Sequence, residues 1–148
     1  MNVKIKVLEH GEGIPLPSYA TAGSAGMDLC SAVRTVIGPG GRVLIPCGFT
    51  MELPDGYEAQ IRSRSGLARK YGVSVAMGVG TVDSDYRGEI GVLLQNLSGG
   101  AFSISIGDRI AQMVIAPFTR IGWEQVDALG DTERGQGGFG STGVSTHG

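Results

Sequence analysis

Aromatic residues make up only 6% of this 148-residue chain, and it holds two histidines and two cysteines. Cys30 and Cys47 form no C-x-x-C pair and have no histidine close by in sequence. That argues against a zinc cluster or a disulfide framework and for a reducing, intracellular setting, read here as cytoplasmic. No apolar run nears the ~20 residues of a membrane span, and the opening "MNVKIKVLEHG" lacks the hydrophobic region of a signal peptide. Charge of one sign is also missing: 12 Lys and Arg stand against 14 Asp and Glu, a net charge of −2. A nucleic-acid binder usually shows a basic face with stacking aromatics. The basic residues Arg62, Arg64, Arg69 and Lys70 have no such platform beside them, so neither nucleic acid nor membrane is the expected partner. A hydrophobic fraction of 41% is enough for one core and too little for two independent domains.

What the chain has in quantity is glycine, 26 residues, set between short runs of strand-like pattern. In "NVKIKVL", Val3, Ile5 and Val7 alternate with lysines, the period of a half-buried strand. "FSISI" (102–106) repeats the alternation, while "RVLIP", "YEAQIR", "EIGVLLQN" and "RIAQMVIAP" are strand candidates apolar on both faces. Turn signals separate them at "GPGG" (38–41), "LPDG" (53–56), "LSGG" (97–100) and "IGD" (106–108). Short strands with no helices between them predict an all-β sandwich or barrel. The single helix candidate is "SGLARKYG", with Ser65 as N-cap and Gly72 in the left-handed position that ends it. From about residue 131 the composition shifts to a glycine-rich arm that cannot bury enough surface to fold alone.

Four segments carry possible chemistry. "RGQGGFGSTG" (134–143) contains G-x-G-x-x-G, but a dinucleotide fold needs a helix and an acidic residue some twenty positions further on, and the chain has no room for them. A solvated tail is the plain alternative. Against it, Arg134, Phe139, Ser141 and Thr142 supply a cationic fork, a stacking face and two hydroxyls in a backbone that can approach an anion closely. "RSRSGLA" (62–68) opens the short helix, whose free amides suit phosphate; an ordinary cap beside solvated arginines fits equally well. "GTVDSDYRG" (80–88) carries Asp83 and Asp85. It is no EF-hand, because Arg87 and Leu94 fall on the fifth and twelfth ligand positions, and a hairpin turn competes with a carboxylate that orients water. Asp28, inside the apolar "AGMDL", must face a ligand, a metal's water shell or a partner charge.

In this order, the segments resemble the five motifs of the trimeric dUTP diphosphatases (dUTPases). "AGMDL" (25–29) is similar to the first motif, "RSGLA" (64–68) to the second and "GTVDSDYRGEI" (80–90) to the third. "GDRIAQ" (107–112) is similar to the fourth and "RGQGGFGSTG" to the fifth. Each alone is a weak signal; five in sequence with compatible spacing form a specific one. The resemblance implies a jelly-roll-like β-barrel over residues 1–130 with one short helix, and an extended arm over 131–148. It further implies a homotrimer in which the arm closes an active site belonging to neighbouring subunits.

The implied reaction is hydrolysis of dUTP to dUMP and pyrophosphate with Mg2+, limiting uracil incorporation into DNA and supplying dUMP for thymidylate synthesis. By the same resemblance, Asp83 activates the water that attacks the α-phosphorus. Tyr86 packs beneath the deoxyribose and leaves no room for a 2′-hydroxyl. Arg64, Ser65, Gly66 and Gln112 hold phosphates, and Asp28 reaches the magnesium through water. Gly80, Thr81 and Val82 read uracil, largely through backbone groups of the hairpin. On the arm, Phe139 stacks on the base, Arg134 clamps the γ-phosphate, and Ser141 and Thr142 complete the grip. Met77 stands where many members carry Asn, so its side chain is left out of the site. Asp108 and Arg109 are read as structural. The related dCTP deaminases carry a catalytic Glu where this chain has Leu93, which argues against deamination.

Overall fold

The computed structural model describes residues 1–138. The elements run β1 (Lys4–Val7), a 3-10 turn at Glu9–Gly11, β2 (Ser18–Tyr19), β3 (Met27–Cys30), β4 (Thr35–Ile37), β5 (Arg42–Pro46), β6 (Phe49–Glu52) and β7 (Tyr57–Arg62). There follow α1 (Ser65–Tyr71), β8 (Val73–Val75), β9 (Val79–Val82), β10 (Gly91–Asn96), β11 (Phe102–Ile104) and β12 (Arg109–Pro117). The all-β expectation with one short helix holds. "YEAQIR" and "RIAQMVIAP" are strands over their full length, because each alternates buried and exposed positions or is covered on both sides.

Pairing among the described residues produces four separate sheets instead of one closed ring: β2-β3-β12-β7-β9, β5-β10-β8, β1-β6 and β11-β4. Corners break the ladders. The register of β12 against β3 shifts between Arg109 and Ala111, and Gly48 and Gly107 turn the chain at positive φ of 77° and 85°, a conformation that glycine adopts without steric cost. All four sheets nevertheless face one core. Leu29, Ile37, Ile45, Phe49, Ile61, Val92, Leu94, Ile104 and Ile110 pack together there. Asn96, fully buried, is also fully bonded. Its Nδ2 donates to the Ile37 and Gly100 carbonyls at 2.9 and 2.7 Å, and its Oδ1 accepts from Ser98 N and Oγ at 2.9 and 2.7 Å. The 97–100 turn is thereby stitched to β4 without an orphaned polar group.

Three local expectations shift. "FSISI" is strand only to Ile104; Ile106 is exposed, and Asp108 Oδ2 accepts from Ser105 N at 2.8 Å to close a turn there. This is the structural role expected of Asp108. The N-cap of α1 is Arg64, at φ −90° and ψ 125°, and Ser65 is the first helical residue; no side chain caps the helix. Gly72, at φ 67°, ends it as predicted. β1 lies more open than its alternation implies, with Ile5 and Val7 about 40% exposed.

A close approach fixes how β6 begins. Leu8 N donates to Gly48 O at 2.9 Å, and a Cβ on Gly48 would sit 3.1 Å from Gly11 N and closer still to Gly11 Cα. Gly48→Ala therefore combines left-handed strain with a backbone clash and should cost about 2–4 kcal/mol. Urea unfolding of the variant will show a lowered midpoint; an unchanged one would mean that the turn at Gly48 yields freely.

Candidate active site

Asp28, Gln112 and Arg62 stand abreast on β3, β12 and β7, because Gln112 is the register partner of both the others. Asp28 faces a partner charge. Its Oδ1 lies 3.0 Å from Arg64 Nε and its Oδ2 3.2 Å from Arg109 Nη1. Arg64 Nη1 also donates to the Arg109 carbonyl at 2.9 Å, which locks β3, the start of α1 and the start of β12 together. The carboxylate is 24% exposed, so two guanidiniums offset the cost of its partial burial. Arg109, read as structural from the sequence, does support this cluster; its distance from Asp28 in the chain hid the pairing. Gln112 Nε2 donates to Ser63 O at 2.9 Å, and a Cβ on Gly26 would come within 2.6 Å of Gln112 Oε1. The glycine of "AGMDL" thus leaves space for the glutamine of "GDRIAQ".

Arg64, Ser65, Gly66 and Gln112 line one cavity of about 430 Å³ together with Leu67, Lys70 and Tyr71. Lys70 Nζ sits 5.1 Å from the Tyr71 ring centroid. Two cationic side chains, the exposed first turn of α1 and an amide surround this space, a donor set that suits a polyanion.

The second grouping lies at the end of β9. Thr81, Val82, Asp83 and Tyr86 line a cavity of about 230 Å³ with Leu44, Glu89, Ile90 and Gly91. Gly80 is paired with Ile61 within the sheet and does not line it. Asp83 also borders a larger cavity of about 750 Å³, beside Asp55, Ser84, Asp85, Phe118 and Arg120. Its carboxylate accepts no hydrogen bond from the described residues, so it is free to hold a ligand or water. The loop beyond it is firmly built. Tyr86 N donates to Asp83 O at 3.2 Å, and Arg87 Nη1 donates to the Ser84 and Tyr86 carbonyls at 2.6 and 3.0 Å.

The two groupings share no lining residue, so the described residues of one chain do not bring Asp83 and the Arg64 cluster into a single cavity. Arg134 joins neither: its Nε donates to Gly137 O at 2.8 Å within the arm. Phe139, Ser141 and Thr142 lie outside the described residues. Among the described residues no three of His, Cys, Asp and Glu gather as a metal cage. Cys30 and Cys47 are buried and unbonded. Burial, followed by Asp28, raises the Cys30 thiol, and burial followed by Glu89 pushes Cys47 up to about 12, so neither is a nucleophile.

The family model for dUTPase matches residues 12–143. The chain belongs to the dUTPase family. It is 58% identical over 146 residues to the deoxyuridine 5'-triphosphate nucleotidohydrolase of Anaplasma marginale (strain St. Maries), covering 97% of this chain and 99% of that one. To the protein of the same name from Beijerinckia indica it is 53% identical, covering 98% and 93%. Its fold is similar to that of the Staphylococcus bacteriophage 80alpha dUTPase with dUPNHPP. The TM-score is 0.88 at 27% identity, over 97% of this dUTPase-family chain and 99% of the phage chain.

Proposed function

We propose that the protein hydrolyses dUTP to dUMP and pyrophosphate by attack of water on the α-phosphorus. The observation that carries this reading is the convergence of Thr81, Val82, Asp83 and Tyr86 on one cavity, joined to membership of the dUTPase family. Asp83 holds the water in line and takes its proton. Phosphoryl transfer depends mainly on alignment and charge stabilisation, so holding the water is as important as taking the proton. Tyr86 forms the floor under the sugar. Thr81 and Val82 present backbone groups to uracil in a pocket whose walls exclude a 5-methyl, and Gly80, paired with Ile61 in the sheet, holds the strand that carries them.

The phosphates go to Arg64, Ser65, Gly66 and Gln112. Arg64 has five N–H donors and uses only part of its fork on Asp28 and the Arg109 carbonyl, which leaves others for an oxyanion. Asp28 keeps lone pairs beyond those facing the two arginines. Such a carboxylate would suit a magnesium ion carried on the triphosphate, which Asp28 would hold through water. When bound, that ion would neutralise charge on the phosphates.

The separation of the two groupings into different cavities supports a site completed between subunits of a homotrimer, each subunit contributing its mostly β domain over residues 1–130. The exposure of large apolar side chains supports this reading, since an assembly would give them cover: Trp123 is 94% exposed in the single chain, Leu129 88% and Leu44 66%. The arm, residues 131–148, then brings Arg134 to the γ-phosphate, Phe139 to the base, and Ser141 and Thr142 to the phosphates, excluding bulk water. In the cytoplasm this activity would limit uracil incorporation into DNA and supply dUMP for thymidylate synthesis.

The test is incubation with Mg2+ and dUTP, dTTP, dCTP or UTP in turn, quantifying pyrophosphate and nucleotide products. Selective release of dUMP from dUTP is expected. Binding without turnover would leave a nucleotide-binding module, and dUTP formed from dCTP would mean a deaminase.

A further inference from the structure

Gly88 has no obvious task in the chemistry above, yet among the described glycines it is the one most tightly covered by a side chain of the candidate site. Its φ lies outside the left-handed region, so the backbone alone would accept any residue there. What it could not accept is the neighbouring ring. The three atoms nearest to a Cβ built on Gly88 all belong to Tyr86: Oη and Cζ well inside contact distance, and Cε2 at 2.9 Å. Tyr86 thus lies directly on the Gly88 backbone. Its hydroxyl donates to the Glu89 carbonyl at 3.0 Å, the next residue along.

That seat is itself anchored. Glu89 Oε1 accepts from Gly48 N at 2.8 Å and lies 2.7 Å from His10 Nε2. The loop is therefore tied to the turn before β6 and to the 3-10 turn after β1. Arg87 holds the other side through the Ser84 and Tyr86 carbonyls. The ring, as the floor of the cavity, therefore has a fixed height set by the missing side chain at 88.

We infer that Gly88 is a positioning residue for sugar discrimination: its lack of a Cβ seats the Tyr86 ring at the level where a 2′-hydroxyl is refused. This rests on the reading of Tyr86 as the floor beneath deoxyribose. An alanine at 88 would displace the ring by roughly 1–2 Å to reach ordinary contact distance. Off its seat, the ring no longer separates a 2′-hydrogen from a 2′-hydroxyl. In Gly88→Ala, kcat/KM for dUTP falls without an equal fall for UTP, and the dUTP-to-UTP ratio drops about tenfold.

A double-mutant cycle tests this. Gly88→Ala, Tyr86→Ala and the double variant are each assayed with dUTP and UTP, and each is melted thermally. The expected result is a reduced ratio in both single variants and no further reduction in the double, since alanine at 88 then has no ring to strike. If Tyr86→Ala leaves the ratio intact, the reading of Tyr86 fails and takes the inference with it. A reduced ratio in Tyr86→Ala but not in Gly88→Ala overturns the inference alone, as does an equal loss for both substrates in Gly88→Ala. If Gly88→Ala fails to fold, recovery of the fold in the double variant supports the ring clash. Failure there as well means that glycine is required by the backbone, which also overturns the inference.

Discussion

Asp83→Asn should bind dUTP within a few-fold of the unchanged protein and turn it over about 10³-fold more slowly. The substitution keeps shape and removes the charge and the proton acceptor. Nothing structural is expected to follow, because the Asp83 carboxylate accepts no hydrogen bond from the described residues and only its backbone carbonyl takes part in the turn with Tyr86. The melting temperature should stay where it was, so that slow turnover cannot be assigned to lost fold. Equilibrium binding of nucleotide, measured beside pyrophosphate release, separates the two effects. Full activity in this variant would remove Asp83 from its role. Weak binding with normal turnover at saturation would make it a ligand for the sugar and no more.

Much of this was legible in the sequence, for reasons that differ by element. β7 and β12 could be read end to end because each is long enough for its pattern to repeat. β2, β4 and β8 have two or three residues each, too few to establish a period against the surrounding turns. The start of α1 was misplaced by one residue because serine is a common cap, whereas here the cap position is held by the backbone of Arg64. That arginine is fixed by Asp28 and the Arg109 carbonyl, two partners remote in sequence. The same remoteness explains why Arg109 was visible only as part of a motif. The separation of the Asp83 cavity from the Arg64 cavity was equally invisible, since chain order says which motifs exist and not whether one copy of the chain can gather them. Gly88 reads as an ordinary loop glycine until the Tyr86 ring is found lying on it.

Removing residues 134–148 should leave a folded assembly whose turnover is lowered about 10²- to 10³-fold, with a weaker hold on dUTP. Fold should survive because the buried core ends at Met113 and the last strand at Pro117. Among the described residues, those of the deleted segment, 134–138, contribute to neither. Catalysis should not, because Arg134, Phe139, Ser141 and Thr142 leave together, and with them the cation, the stacking face and the cover that keeps bulk water out. Analytical ultracentrifugation paired with steady-state kinetics checks both halves. A monomer would mean that the arm holds the assembly together, and an undiminished rate would mean that it closes nothing. Mixing this truncated chain with Asp83→Asn after co-refolding extends the argument. Each variant lacks what the other retains, so each alone turns over slowly. If sites are built from more than one chain, mixed assemblies contain some that pair an intact Asp83 with an intact arm, and activity returns. If each chain serves only its own site, the mixture stays as inactive as its parts.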